Sequence, residues 1–139
     1  MNITDFYALY LQANKVTIDS RKIEKNDMCF AFSGDNFNAA TLAETAIDNG
    51  ALAVIVEDEN FENTAKNIFY VKSTLEFLQD LAKHHRAQLS IPIIALTAGT
   101  LKEERELCFS SGMSDYISKP VVKDTVKEVI LKWRNTQKK

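Results

Sequence analysis

The stretch from Ile91 to Gly99 constrains the fold more than any other part of the chain, because it contains the clearest strand signal and decides what can follow it. Residues 93–96 are four apolar residues in a row, a pattern typical of a parallel strand covered by helices on both faces. Pro92 fits only at the start of such a strand. Thr97 stands at its carboxyl end, where an open α/β sheet meets its ligands. The segment therefore predicts a mostly parallel α/β sheet.

The remaining segments fit the same architecture. Apolar residues recur at helical spacing in several segments, and β-branched or apolar runs separate them. The order strand, helix, strand across residues 67–96 predicts a βαβ unit. We expect a single three-layer α/β domain of the flavodoxin-like or Rossmann-like type, with an edge strand at residues 115–118. The predicted helices cover residues 3–11, 39–49, 73–89, 101–111 and a last amphipathic segment, and the other predicted strands cover residues 16–18, 28–32, 52–56 and 67–71.

Length and composition exclude several classes of protein. A chain of 139 residues is one domain by the usual size range. The net charge of −2 gives no electrostatic footprint for nucleic acid. Only the tail from Lys132 to Lys139, which ends in residues 135–139, is basic. No apolar run approaches the length of a membrane span, and a signal pattern is absent from the N-terminus. We expect a cytoplasmic protein without nucleic-acid or membrane partners; its oligomeric state stays open.

Acidic residues follow the buried strand at residues 52–56. Glu57 and Asp58 stand at its carboxyl end, and the segment resembles the first strand of a two-component receiver domain with its acidic pair, which implies weak Mg²⁺ binding. The alternative is a solvated strand end without a ligand. We predict no cofactor and no metal site beyond this weak candidate. Cys29 and Cys108 lack metal-type or redox-type spacing, and we assign them no function.

Four ordered motifs in the first two thirds of the chain carry a family resemblance. They are Thr-Ile-Asp-Ser-Arg-Lys-Ile at 17–23, Met-Cys-Phe-Ala-Phe-Ser-Gly-Asp-Asn-Phe-Asn at 28–38, Ala-Ile-Asp-Asn-Gly-Ala at 46–51 and Leu-Ala-Lys-His-His-Arg at 81–86. Residues 1–96 thereby resemble the N-terminal, UDP-binding domain of the Mur ligase family. Within that family, the resemblance is to the members that add D-alanyl-D-alanine to a UDP-muramoyl peptide.

The resemblance implies that hydroxyl, guanidinium and amide groups of two loops hold a UDP-type nucleotide. A structural turn at residues 19–21 is the alternative interpretation. In this family an ATP-binding loop follows the strand that ends here at Thr97, but the chain lacks G-x-x-x-x-G-K-[ST] there. We therefore expect a chain that is not an enzyme. The candidate nucleotide-binding residues are Ser20, Arg21, Gly34, Asp35, Asn36 and Asn38.

The last part of the chain carries a second resemblance. Leu-Thr-Ala at 96–98, Gly-Met-Ser-Asp-Tyr-Ile-Ser-Lys-Pro at 112–120 and a final amphipathic helix resemble the C-terminal half of a two-component receiver domain. The resemblance covers residues 91–134. It implies that Thr97, Tyr116 and Lys119 correspond to the switch hydroxyl, the switch aromatic residue and the phosphate-binding lysine, with a cis bond before Pro120. The phosphoacceptor half is missing, and Lys72 stands where its Asp would be.

Both families contain a strand of this type. A crossover within residues 91–97 would therefore preserve the helix and strand that each half needs. We interpret residues 1–139 as a single chimeric domain, engineered or natural, with a Mur-ligase-like part and a receiver-like part. Two functions remain open. The first is a fold-only protein without ligase or phosphoryl-signalling activity. The second is a weak residual binding module for UDP or UDP-muramoyl-type nucleotides.

Overall fold

The computed structural model describes residues 2–99 and 102–136. The chain divides into two compact units, residues 1–85 and residues 86–139, and α3 contributes residues to both. The helices and strands are α1 (Ile3–Tyr10), β1 (Val16–Thr17), β2 (Met28–Phe30), α2 (Ala43–Asp48), β3 (Ala53–Val56), β4 (Ile68–Tyr70), α3 (Thr74–Gln88), β5 (Ile94–Thr97), α4 (Lys102–Ser110), β6 (Asp115–Ser118) and α5 (Lys123–Thr136).

The first unit is built on a parallel sheet. Among the described residues it has four strands in the order β1-β2-β3-β4, and every neighbouring pair is parallel. The register places Met28 beside Ala53 and Val54 beside Ile68. The α/β fold class with a mostly parallel sheet, which the sequence predicts, is confirmed.

Apolar side chains cover both faces of this sheet, so the first unit has three layers. On one face, Phe30 and Ile55 pack with residues of α1 and α3, and the Phe6 ring lies edge-on to Phe77 at 4.9 Å between centroids. On the other face, Val54 and Val56 pack against a cluster of small residues on α2 and the turn before it. The central strands are therefore continuous apolar runs, because alternate side chains enter opposite cores.

Helix termini in this unit follow the local sequence. The Ser73 hydroxyl accepts a hydrogen bond from the Glu76 N–H (3.2 Å), as the predicted cap of α3 requires. Gly50 follows α2 with φ +106°, in the left-handed region that ends helices, and its N–H donates to the Ile47 carbonyl (2.9 Å). A side chain at this position would also meet the backbone of Lys25 at 3.3 Å.

The second unit is built on β5 and β6, which pair in parallel with Thr97 beside Ser118. Side-chain hydrogen bonds connect its parts. The Arg86 guanidinium donates from Nε to the Gly112 carbonyl (2.8 Å) and from Nη2 to the Ser114 hydroxyl (2.9 Å). The same hydroxyl accepts from the Ile93 N–H (3.1 Å). The edge strand predicted at residues 115–118 is confirmed as β6.

Two predictions about β5 need correction. Leu96 is 55% exposed, so the strand is not covered on both faces. An apolar run does not by itself show that helices pack on both faces of a strand. Among the described residues, β5 also has one strand neighbour, β6, instead of neighbours on both sides. The hydrogen bonds also form two sheets instead of one, and the predicted βαβ unit across residues 67–96 is not hydrogen-bonded as one sheet because β4 and β5 belong to different sheets.

Some predictions lie outside the described residues. The predicted start of the fourth helix at 101 and the end of the basic tail at 137–139 are among them. In the part of the chain that is described, no helix is long and apolar enough to cross a membrane. The interpretation of residues 1–139 as one domain stays a prediction.

Truncating a buried residue of the central sheet should destabilise the first unit strongly. Ile55 is fully buried on β3, and we expect Ile55→Ala to lower the free energy of unfolding by about 2 to 5 kcal/mol. Leu96→Ala is the control, because its side chain is 55% exposed and should cost much less. Urea denaturation followed by far-UV circular dichroism measures both. Equal losses of unfolding free energy in the two variants would contradict the assignment of Ile55 as buried and Leu96 as exposed.

Cooperative unfolding tests the one-domain interpretation. Trp133 is the only tryptophan of the chain and lies in the second unit. If residues 1–139 form one domain, Trp133 fluorescence and circular dichroism should report the same transition, and Ile55→Ala should shift both. A fluorescence midpoint that Ile55→Ala leaves unchanged would mean that the two units unfold separately.

Candidate functional site

The carboxyl end of β1 leads directly into a short turn that carries two of the predicted site residues. Ser20 and Arg21 lie in a 3₁₀ turn over Ser20–Lys22, and the Asp19 carboxylate caps this turn by accepting the Arg21 N–H at 3.1 Å. The turn exists because a short acceptor side chain at the cap position satisfies a backbone donor that the strand no longer pairs. Parallel strands place their carboxyl ends on one edge, where α/β proteins bind ligands.

A cavity of about 520 Å³ lies beside this turn, within the first unit. Most of its lining is apolar, and its polar groups come from the turn after β1. This is the usual composition of a small-molecule site, in which apolar walls supply contact area and a few polar groups fix orientation. The lining residues are Ile18, Asp19, Ser20, Arg21, Cys29, Ala31, Phe32, Phe37, Ala39 and Leu42.

The loop after β2 supplies an aromatic side chain to the cavity. The Gly34 N–H donates to the Phe37 carbonyl (3.0 Å) and the Phe37 N–H donates back to the Gly34 carbonyl (3.2 Å), which closes the loop. Phe37 lines the cavity and is 54% exposed. Gly34, Asp35 and Asn36 do not line this cavity, whereas Ser20 and Arg21 do.

Asn38 takes a structural position beside a second cavity of about 390 Å³. Its side-chain oxygen accepts the Ala40 N–H (3.0 Å), and its Nδ2 donates to the Asp58 carboxylate (2.8 Å). Both ends of the amide are therefore used within the protein. The second cavity is lined by Ser33, Asn38, Glu57, Asp58, Glu59 and Tyr70.

Glu57 and Asp58, the weak metal candidates, both serve as caps. Glu57 Oε1 accepts from the Thr74 N–H (2.6 Å) and from the Thr74 hydroxyl (2.8 Å) at the start of α3. Asp58 accepts from the Asn60 N–H and side chain, and its hydrogen bond from Asn38 lowers its pKa. The described residues contain no group of three or more side chains that could hold a metal ion.

The charged pair at the cavity is Asp19 with Arg21. Arg21 donates from Nε to Asp19 Oδ1 at 2.8 Å and from Nη2 to Oδ2 at 3.1 Å, a bidentate geometry. The hydrogen bonds from Arg21 lower the pKa of Asp19 to about 2, so the carboxylate is ionised at neutral pH. Cys29 lines the same cavity, but burial raises the pKa of its thiol to about 11, which makes it a poor nucleophile.

The receiver-like residues lie together in the second unit at β5 and β6. The Thr97 carbonyl accepts the Lys119 N–H at 2.7 Å, and the Thr97 hydroxyl accepts the Gly99 N–H at 3.0 Å. The Arg105 guanidinium lies 4.6 Å from the centroid of the Tyr116 ring. The peptide bond between Lys119 and Pro120 is cis, as expected.

Sequence analysis missed several residues of the cavity. Phe32, Phe37 and Leu42 line it beside Ser20 and Arg21. Phe37 stands within the quoted loop motif, and its position between polar residues was a usable signal, since an aromatic residue in a polar loop has no core to enter. Phe32 and Leu42 gave no such signal because their apolar character also fits a core position.

The fold and the cavity define an α/β domain with a cavity beside the turn that follows the first of its parallel strands. A family model described as "Mur ligase family, catalytic domain" matches residues 12–86, more than half of the chain. The chain belongs to the Mur ligase family. The resemblance to the N-terminal part of these ligases is thereby confirmed.

Individual relatives agree with this membership. The chain is 33% identical over 92 residues to the UDP-N-acetylmuramoyl-tripeptide--D-alanyl-D-alanine ligase of Haemophilus influenzae, an alignment that covers 66% of this chain and 20% of the ligase. A crystal structure of MurF ligase from Thermotoga maritima in complex with ADP matches with a TM-score of 0.52 at 24% identity, covering 65% of this chain and 21% of that chain. The second match shows the fold alone.

A different class of protein also matches. The sensor protein GacS of Pseudomonas syringae is 44% identical over 48 residues, which covers 34% of this chain and 5% of that protein. The chain therefore spans about a fifth of the ligase and a small fraction of the sensor protein.

Removing the Glu57 carboxylate should destabilise the start of α3. We expect Glu57→Ala to lower the free energy of unfolding by about 1 to 2 kcal/mol, because two donors of Thr74 lose their acceptor. Glu57→Gln keeps a carbonyl acceptor and should retain most of the stability. Glu59→Ala, at an exposed neighbour, controls for the loss of charge. Urea denaturation distinguishes them, and equal losses for Glu57→Ala and Glu59→Ala would refute the capping role.

Proposed function

We propose that the chain is a non-catalytic, cytoplasmic binding module for a UDP-type nucleotide and that the cavity beside Ser20 and Arg21 is its site. The observation that carries this proposal is the convergence of a hydroxyl, a guanidinium and an aromatic ring on one cavity within the first unit. The chain's membership in the Mur ligase family supports a ligand of the UDP-muramoyl class, since the name of the Haemophilus ligase contains that substrate.

The lining suits the two chemically different parts of UDP. A uracil ring presents a flat π-face, and Phe37 or Phe32 can stack against it. The diphosphate is anionic and presents oxygen acceptors, for which Arg21 and the Ser20 hydroxyl are suitable donors. The apolar side chains of Ile18 and Leu42 complete the walls.

The sequence after β5 supports the absence of ligase activity. Thr97 is followed by Ala98 and Gly99, and the residue five positions after Gly99 is Glu104 instead of the second glycine of a phosphate-binding loop. Such loops bind phosphates through consecutive backbone N–H groups and one lysine, and the segment contains no such motif. We therefore infer that the chain neither hydrolyses ATP nor forms peptide bonds.

The second unit supports a chimeric origin. Thr97, Tyr116 and Lys119 match the receiver resemblance by sequence motif, and the partial match to a sensor protein supports a two-component source. We infer that residues 91–134 derive from a receiver domain and do not accept phosphate. Lys72 stands after β4 where the resemblance requires an aspartate, so the acceptor carboxylate is missing.

Binding of UDP tests the proposed function against the fold-only alternative. We expect saturable binding in the millimolar to high micromolar range, about −4 to −6 kcal/mol, because few contacts remain. Heteronuclear NMR should show shifts of signals near Ser20, Arg21 and Phe37. Arg21→Ala and Phe37→Ala should each weaken binding without unfolding the chain, since both side chains are largely exposed.

Arg134→Ala is the matched control, because it removes one positive charge from α5, outside the cavity. It should leave UDP binding unchanged. If several millimolar UDP produces no shifts in the wild-type protein, the fold-only alternative holds.

A further inference from the structure

We propose that Asp19 is a positioning residue for the phosphate part of the ligand, because it fixes the Arg21 guanidinium beside the cavity. This role rests on the proposed function. Asp19 lines the cavity that is proposed to bind an anion, and a carboxylate there would repel the ligand unless it had another role.

The geometry of the pair leaves donors for a second acceptor. A guanidinium has five N–H groups, and Asp19 uses one on Nε and one on Nη2, so both N–H groups of Nη1 and one of Nη2 are not engaged by Asp19. A phosphate oxygen can therefore bind Arg21 while the carboxylate keeps its bidentate contact. The carboxylate and the ligand do not compete for the same donors.

A chain of hydrogen bonds connects the pair to the sheet. The Thr17 hydroxyl, on β1, accepts the Asp19 N–H at 3.2 Å, and the Asp19 carboxylate in turn accepts from the backbone and the side chain of Arg21. Lys22 Nζ lies 3.8 Å from Asp19 Oδ2, so the carboxylate holds a second cation nearby. Asp19 thus links the guanidinium of Arg21 to β1 through hydrogen bonds.

Arg21 needs such an anchor because its side chain is 85% exposed. A long exposed arginine loses much rotamer freedom when it binds an anion, and this loss weakens binding. Asp19 restricts the side chain before the ligand arrives. The gain should appear only for ligands that reach Arg21, which are those that carry phosphate.

Asp19→Asn tests this role with UDP and uridine as the two probes. Asparagine caps a turn as well as aspartate, so the fold of the turn is kept. Its amide nitrogen is a donor, however, and would face an N–H of the guanidinium. We expect UDP affinity to fall roughly threefold to tenfold, the effect of releasing one side chain, while uridine affinity is unchanged.

Asp48→Asn on α2 controls for the loss of one negative charge and should leave both affinities unchanged. A rise in UDP affinity in Asp19→Asn would overturn the proposal, because Asp19 would then be a competitor for Arg21. Equal losses for UDP and uridine would also overturn it and would assign Asp19 a purely structural role.

Two further outcomes separate this proposal from the proposed function. If the wild-type protein binds neither probe, the proposed function fails and the role of Asp19 falls with it. If the wild-type protein binds UDP and the ratio of the two affinities is the same in Asp19→Asn, only the role of Asp19 fails. Without ligand, the Arg21 Nε–H signal should be resolved in the wild type and exchange-broadened in Asp19→Asn; equal signals would contradict the anchoring.

Discussion

Burial of β2 and β3 on both faces is the constraint on which the first unit depends. Phe30 and Ile55 enter one core while Val54 and Val56 enter the other, so each strand must be covered by helices on two sides. Parallel strands cannot be joined by short turns, and the connections between them must cross over the faces. The apolar sequence of two short strands therefore requires the three layers. Because the strands are parallel, their carboxyl ends lie at the same edge of the sheet.

The candidate site lies at that edge. Several of the polar side chains there are held in place by hydrogen bonds to backbone N–H groups. Asp19, Asn38 and Glu57 all satisfy N–H groups that a strand or helix end leaves unpaired. A carboxylate or amide that accepts such hydrogen bonds is fixed in position, but it has fewer free lone pairs with which to bind a ligand. Glu57 Oε1 is used by two donors of Thr74, whereas Arg21 keeps N–H groups that Asp19 does not use.

The sequence predicted the elements of the fold better than their assembly. Strand β6, the cap of α3 at Ser73 and the turn at Gly50 follow from local signals that neighbouring residues cannot override. Leu96 is predicted to be buried because residues 93–96 are all apolar, yet an apolar run does not show which elements pack on the faces of a strand. Ser20 and Arg21 could be predicted because they belong to a sequence motif. Phe32 could not, because its place in the cavity depends on how the loops fold.

Directional polar contacts connect β6 to α5 in the second unit. Ile117 is the one residue of β6 that is buried. At the start of this strand the Asp115 carboxylate accepts from Lys132 Nζ (2.6 Å) and Trp133 Nε1 (3.0 Å) of α5. Burial raises the pKa of Asp115, but the hydrogen bonds from Lys132, Trp133 and the Tyr116 N–H, together with the Lys132 charge, outweigh burial and the pKa is lowered. Because the lowered pKa belongs to the folded state, this contribution to stability is present at neutral pH and is lost as the pH falls through that pKa. A charge that acid removes therefore contributes to the packing of α5 against β6.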